Sequence, residues 1–137
     1  MFVDASAIVA ILTGEHNAGA MADLLAAARA PITSPIAVFE AVLGVCRKRQ
    51  ISVKEATETV RDFLELTRVG LIPIGAEESE TALDAFARYG KGRGHPAQLN
   101  LGDCFAYAVA KNNHTSILFK GEDFTHTDVR AATSRRR

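Results

Sequence analysis

The sequence has no excess of either charge. Its 137 residues carry 16 acidic and 16 basic side chains, giving a formal net charge of zero at pH 7. That excludes a global field drawing the protein onto nucleic acid or an anionic membrane, so a polyanion must be met by a local patch. Cysteine is scarce, at two residues. Cys46 and Cys104 both fall in apolar helical patterns and read as small core residues of a cytosolic protein, not as a disulfide framework. Long hydrophobic runs are missing too. The stretch from Met1 to Leu12 is interrupted by Asp4, lacks the basic flank of a secretory signal and is too short to cross a bilayer. The expectation is a soluble, cytoplasmic protein without membrane contact. There is no internal repeat; residues 1–132 are expected to form one domain and 133–137 a basic, disordered tail.

Several catalytic signatures are also absent. "GKGRG" follows a helical pattern and precedes a proline loop, so it is not the strand-to-helix dinucleotide fingerprint. No phosphate-binding Walker motif and no Gly-x-Ser-x-Gly elbow occur. His16, His95, His114 and His126 lack zinc-like spacing. A phosphatase with a strand-end aspartate nucleophile needs a second aspartate where Ser6 stands. A signalling receiver needs its phosphate-accepting aspartate at a strand end, whereas Asp103 falls in a helical pattern.

What is present is an ordinary globular composition, 47% hydrophobic and 23% charged, enough to bury a core. "MFVD" suits a short buried strand, and "ASAIVAIL" a helix. A second helix covers residues 17–29, and "PIT" is a second strand. Ser34 followed by Pro35 opens a helix to about Arg49. Ser52 with Glu55 forms a capping box for the next, whose apolar residues in "VRDFLELT" serve the core or a dimer interface, the core being preferred. "GLIPIG" is a third strand, residues 76–89 a charged amphipathic helix, and "GKGRGHPAQLN" a loop. "NLGDCFAYAVAK" is a helix, "TSILFK" a fourth strand, "GEDFTHTD" a turn, and a last short strand follows. Helices alternating with short apolar strands imply an α/β fold, a three-layer α/β/α arrangement around a short central parallel sheet. In such folds the binding site lies beyond the carboxyl ends of the strands.

Three carboxylates stand alone. Asp4 is the only charge between Met1 and Gly14, Glu40 the only one between Ala30 and Cys46, and Asp103 the only one between Gly94 and Ala110. Each has an ordinary reading: a cap for Asp4, an arginine ion pair for Glu40, a residue favoured by the helix dipole for Asp103. Glu40 shares a helix face with Ile36 and Leu43, a face expected to point inward. Three such acids in one small domain point instead to a shared pocket. Asp123, beside Glu122, follows the fourth strand; as a solvated turn acid it is ordinary, and as a fourth member of the group it is not. Converging carboxylates repel, and a hard divalent ion such as Mg²⁺ or Mn²⁺ relieves the conflict. Such ions support phosphoryl chemistry. Asp4 and Asp103 are the expected main metal ligands, with Glu40 binding directly or through water and Asp123 completing the site. Ser6 either orients a ligand carboxylate or caps a helix.

In "MFVDASAIVAIL", "SPIAVFEAVLGV", "NLGDCFAYAVAK" and "ILFKGEDFTHTD", taken in order and spacing over nearly the whole chain, the sequence resembles the PIN-domain ribonucleases, and among them the VapC toxins of bacterial toxin–antitoxin pairs. The family's acidic quartet falls on Asp4, Glu40, Asp103 and Asp123, and Ser6 matches its small hydroxyl residue. Many relatives carry Arg-Asn or Asp where this chain has "KGE", so Glu122 is the alternative fourth acid; Asp123 is preferred. The resemblance implies an endoribonuclease that slows translation and a small VapB-type antitoxin that often inserts a basic side chain into the acidic pocket. It also implies a homodimer, with operator DNA met only through the antitoxin. A non-catalytic module binding antitoxin or RNA, and a DNA-cutting nuclease of the same fold, are the alternatives. Cations at the pocket rim must hold an RNA backbone; Arg47, Lys48, Arg49, Lys91, Arg93, Lys111 and Lys120 are the candidates, against the plainer reading of solvated surface charge.

Overall fold

The computed structural model describes residues 1–133. Apart from Thr133, the expected basic tail lies outside them. Among the described residues four strands alternate with six helices: β1 (Phe2–Val3), α1 (Ala5–Leu12), α2 (Ala18–Ala26), β2 (Ile32–Thr33), α3 (Pro35–Arg49), α4 (Val53–Leu66), β3 (Gly70–Leu71), α5 (Ala76–Tyr89), α6 (Leu101–Asn112) and β4 (Ile117–Leu118). Every pairing is parallel and the order is β3-β2-β1-β4. The chain winds outward from β1 through β2 to β3, then returns to lay β4 on the other side of β1. That reversal makes the β1/β4 boundary the place where a crevice opens at the carboxyl ends of the strands.

The strands are two residues long, shorter than the apolar runs that contain them. β1 stops at Val3 because Asp4 immediately turns to cap α1. The expected last strand shrinks to a single bridge between Ile117 and Ala131. Even so, the two-residue alternation of a pleated sheet holds. Phe2 and Ile117 pack with α5 and α6, whereas Val3 and Leu118 pack with α1, α2, α4 and the deep side of α3. These two apolar clusters, one on each face, make the three-layer α/β/α arrangement expected from the sequence.

Local chemistry sets the helix starts. Ser34 Oγ accepts from Ala37 N at 3.2 Å, with Pro35 in the first turn of α3. Ser52 Oγ accepts from Glu55 N at 3.0 Å, but among the described residues the Glu55 carboxylate does not return the bond, so the expected capping box is half made. Along α4, Ala56 and Val60 are buried, while Val53 and Leu66 at its ends are 57% and 83% exposed. The core reading of that helix therefore holds only for its middle turns. Cys104 is buried and Cys46 half-buried, both as free thiols. Among the described residues no helix is long and apolar enough to cross a membrane.

Helices α1 and α3 meet at Gly44, where an added Cβ would lie 2.6 Å from Val9 Cγ2. A branched side chain there overpacks the interface. Gly44→Val should lower stability by about 1–3 kcal/mol, read as an earlier midpoint in urea unfolding.

Candidate active site

Asp4 is placed by the end of β1. Its backbone N–H donates to Leu118 O at 3.0 Å, and its carboxylate opens α1. Oδ2 accepts from both Ser6 N, at 3.0 Å, and Ser6 Oγ, at 2.6 Å. Ser6 Oγ in turn accepts from the backbone N–H of Lys120 at 3.0 Å. One hydroxyl therefore ties the first acid to the segment leaving β4. The two readings of Asp4 are compatible: it caps a helix and also faces other acids. Burial pushes its pKa up, against the Ser6 bonds that favour the charged form, and the charge of Asp123 adds to the rise.

Asp103 arrives from the other direction. α6 feeds β4 and so runs against the strands, which brings its N-terminus to their carboxyl ends. Asn100 Oδ1 accepts from Asp103 N at 2.9 Å, and Asp103 Oδ2 accepts from Asn100 N at 3.1 Å, a reciprocal cap. Asp103 is 8% exposed. Burial, then the charges of Asp123, Asp4 and Glu40, push its pKa up to about 7, although the Asn100 N–H favours the carboxylate.

Glu40 departs from expectation. It is half-buried, and Leu43, on the supposed inward face, is 44% exposed. The deep face of α3 is the row Ala37, Ala41 and Val45, which at 3.6 residues per turn leaves position 40 on the flank. From that flank the carboxylate reaches the first turn of α6 and lies against Gly102. Burial raises its pKa, and the charge of Asp4 adds to the rise. Among the described residues it has no arginine partner, and none of Asp4, Asp103 or Asp123 forms an ion pair either.

Asp123 sits in the exposed turn after β4, anchored by buried Phe124, whose ring meets Phe119 edge-on at 5.1 Å. Its charge acts on Asp4 and Asp103; that of Glu122 does not figure among the influences on the three inner acids. The structure thus brings Asp4, Glu40, Asp103 and Asp123 to one edge of the sheet and leaves Glu122 as an exposed neighbour. The donors are oxygen atoms only and share a surplus of negative charge, which suits a hard divalent ion. The match is one of charge and donor type. Among the described residues no three Asp, Glu, His or Cys side chains are gathered tightly enough to enclose an ion as they stand. A cavity of about 430 Å³ between α6 and the segment 128–130 contains none of these acids.

The basic candidates divide. Lys48 and Lys120 both pair with Glu15, the latter at 2.9 Å, and Arg49 donates to Leu12 O. Lys111 pairs with Asp128 at 3.1 Å. Arg47, Lys91 and Arg93 are exposed and form no ion pair among the described residues. Sequence reasoning missed Glu15, the acid between two cations, and Gly102. The latter had a signal: a glycine in a helix's first turn directly before a lone acid, where glycine is a poor helix former.

Residues 1–130 match the model of the PIN domain family. The chain is a PIN-domain protein. It belongs with the VapC ribonucleases: one from Rhizobium meliloti is 42% identical, over 93% of this chain and 98% of its own. Ribonuclease VapC28 of Mycobacterium tuberculosis is 38% identical, over 99% of this chain and all of its own length. The fold is also that of M. tuberculosis VapC20, described as a toxin cleaving the sarcin-ricin loop, with a TM-score of 0.75, 18% identity and coverage of 93% of this chain and 95% of that one. A toxin–antitoxin complex from Klebsiella pneumoniae contains a chain of the same fold, with a TM-score of 0.67, 17% identity and coverage of 93% and 92%.

The raised pKa of Asp103 has a stability consequence. Its folded value, about 7, lies above its unfolded value near 4, so between those limits the folded protein holds more protons. With chelator present, the contribution of this group to stability should fall as pH rises from about 4 to about 7 and stay low above that. Asp103→Asn retains an oxygen for the Asn100 N–H and removes the charge. It should flatten that slope and raise the melting temperature at pH 8; an unchanged slope in thermal unfolding would count against the carboxylate crowding.

Proposed function

We propose that this PIN-domain protein is the toxin of a toxin–antitoxin pair, an endoribonuclease that hydrolyses RNA phosphodiester bonds and so inhibits translation. Its VapC relatives are ribonucleases by name, and one protein of the same fold is a toxin that cleaves a defined RNA loop. The observation that carries the reading is the meeting of Asp4, Glu40, Asp103 and Asp123 at the β1/β4 edge, where Asp4 and Asp103 are strongly desolvated. Carboxylates so crowded raise one another's pKa values and have no cation beside them among the described residues; a divalent ion, which PIN-domain ribonucleases use as a class, supplies the missing charge.

Asp4 and Asp103 are the main ligands in this reading, with Glu40 and Asp123 completing the set, and Mg²⁺ or Mn²⁺ fits their oxygen donors. Held by these carboxylates, such an ion would lower the pKa of a water and offset charge developing on the phosphate. The chain's own groups do the rest. The Ser6 hydroxyl and amide hold Asp4 Oδ2. The Asn100 N–H holds Asp103 Oδ2. Hydrolysis consumes one water and breaks the bond from phosphorus to the departing 3′ oxygen. An antitoxin partner follows from the same family, and a basic side chain entering the pocket is the chemistry that would silence it. Homodimer formation, and operator contact through the antitoxin alone, belong to the same proposal.

Exposed Lys91 and Arg93 flank Gly92 in the loop before α6 and are the free cations best placed to meet RNA phosphates, with Arg47 at the end of α3. Lys48 and Lys120 must first leave Glu15.

Asp103→Asn should abolish cleavage of generic RNA while circular dichroism stays native, and EDTA should do the same to the unaltered protein. Full activity in that variant, still metal-dependent, would remove Asp103 from the site. Lys91→Ala and Arg93→Ala should each weaken RNA binding across sequences and reduce the slope of log affinity against log salt by about one. A slope unchanged by both would place the RNA elsewhere.

A further inference from the structure

The Glu40 carboxylate occupies the space that a side chain at position 102 would fill. A Cβ built on Gly102 would fall on both carboxylate oxygens of Glu40 and lie 2.6 Å from its Cδ. The neighbouring positions offer no such opening: Leu101 points away and is 68% exposed, and Asp103 carries its own carboxylate into the group. Glycine has a cost at this place. It lies in the first turn of α6, where alanine is the better helix former, and its backbone has no positive φ that would demand glycine. The usual reasons for a glycine are thus missing, and the packed carboxylate supplies one.

We infer that Gly102 is a positioning residue: it forms the floor on which the Glu40 carboxylate rests, and so sets where the third acid stands relative to Asp4 and Asp103. The inference rests on the nuclease reading for its functional half only. Glu40 is the free end of a flexible side chain. When its seat is filled it swings outward toward solvent, and neither α3 nor α6 has to move. The floor has a second property. It is the N-terminal turn of a helix, whose positive dipole end favours a carboxylate. Losing that seat removes both the position of the third acid and part of what makes its charge tolerable there.

The test separates seat from scaffold. Gly102→Ala should unfold at the same temperature as the parent or higher, since alanine favours the helix. Its turnover of RNA with Mg²⁺ or Mn²⁺ should nevertheless fall to that of Glu40→Ala, at least tenfold, with KM for RNA changed less than twofold. Adding Gly102→Ala to Glu40→Ala should then cost nothing further. The matched control is Gly19→Ala in α2, where an added Cβ meets nothing within 4 Å; it should leave turnover unchanged. A readout independent of activity is the ¹³Cδ resonance of Glu40, assigned with Glu40→Gln and followed at fixed pH. It should move in Gly102→Ala and stay in Gly19→Ala. Parent-like turnover in Gly102→Ala, a further loss in the double variant, or an unmoved Glu40 resonance would each overturn the inference. An inactive parent protein would instead overturn the nuclease reading, while the resonance still decides whether Gly102 seats Glu40.

Discussion

Burying carboxylates together is the constraint on which the site of this small domain depends. Asp4, Glu40 and Asp103 each have a raised pKa, and burial is the largest cause in every case. Bringing them together costs stability unless something offsets it. The fold offsets part of it with backbone dipoles. Asp4 opens α1, Asp103 sits in the first turn of α6, and Glu40 lies over that same turn. Two helix N-termini thus converge on the site and stabilise negative charge there without any basic side chain. In the proposed function a cation from outside completes the balance, as an ion or as a partner's side chain.

The sheet is short but central to placement. Its strands are two residues long, and the side chains of β1 and β4 are buried in the core on both faces. What they fix is register: Val3 against Leu118 sets Asp4 beside the segment that carries Lys120 and Asp123. The helices on both faces supply the apolar burial, with close approach at Gly44 letting α3 lie directly on α1.

Much of this was legible in the sequence because isolated charge in apolar surroundings is a strong signal. Asp4, Glu40 and Asp103 stood out by that criterion alone, and the alternation of elements implied the parallel sheet. The helix start at Ser34 was readable from short-range chemistry. The rest depended on contacts between distant segments. Helical spacing put Glu40 with Ile36 and Leu43, but only packing against α1 decides that Ala37, Ala41 and Val45 face inward. Glu122 and Asp123 stand side by side in the sequence, and only the family resemblance favoured Asp123; in the folded chain the charge of Asp123 acts on Asp4 and Asp103. Lys48 and Lys120 looked like free surface charges because Glu15 is remote from both in the chain.

The four acids differ in what else they do. Asp4 and Asp103 begin helices, so the backbone relies on their oxygens independently of any chemistry proposed for them. Glu40 and Asp123 hold no backbone amide among the described residues. A lineage relieved of the need to cut would therefore be expected to erode unevenly. Glu40 and Asp123 are free to drift first, while Asp4 and Asp103 persist as architectural remnants, so a chain of this shape that still displays those two is not thereby shown to be a working enzyme.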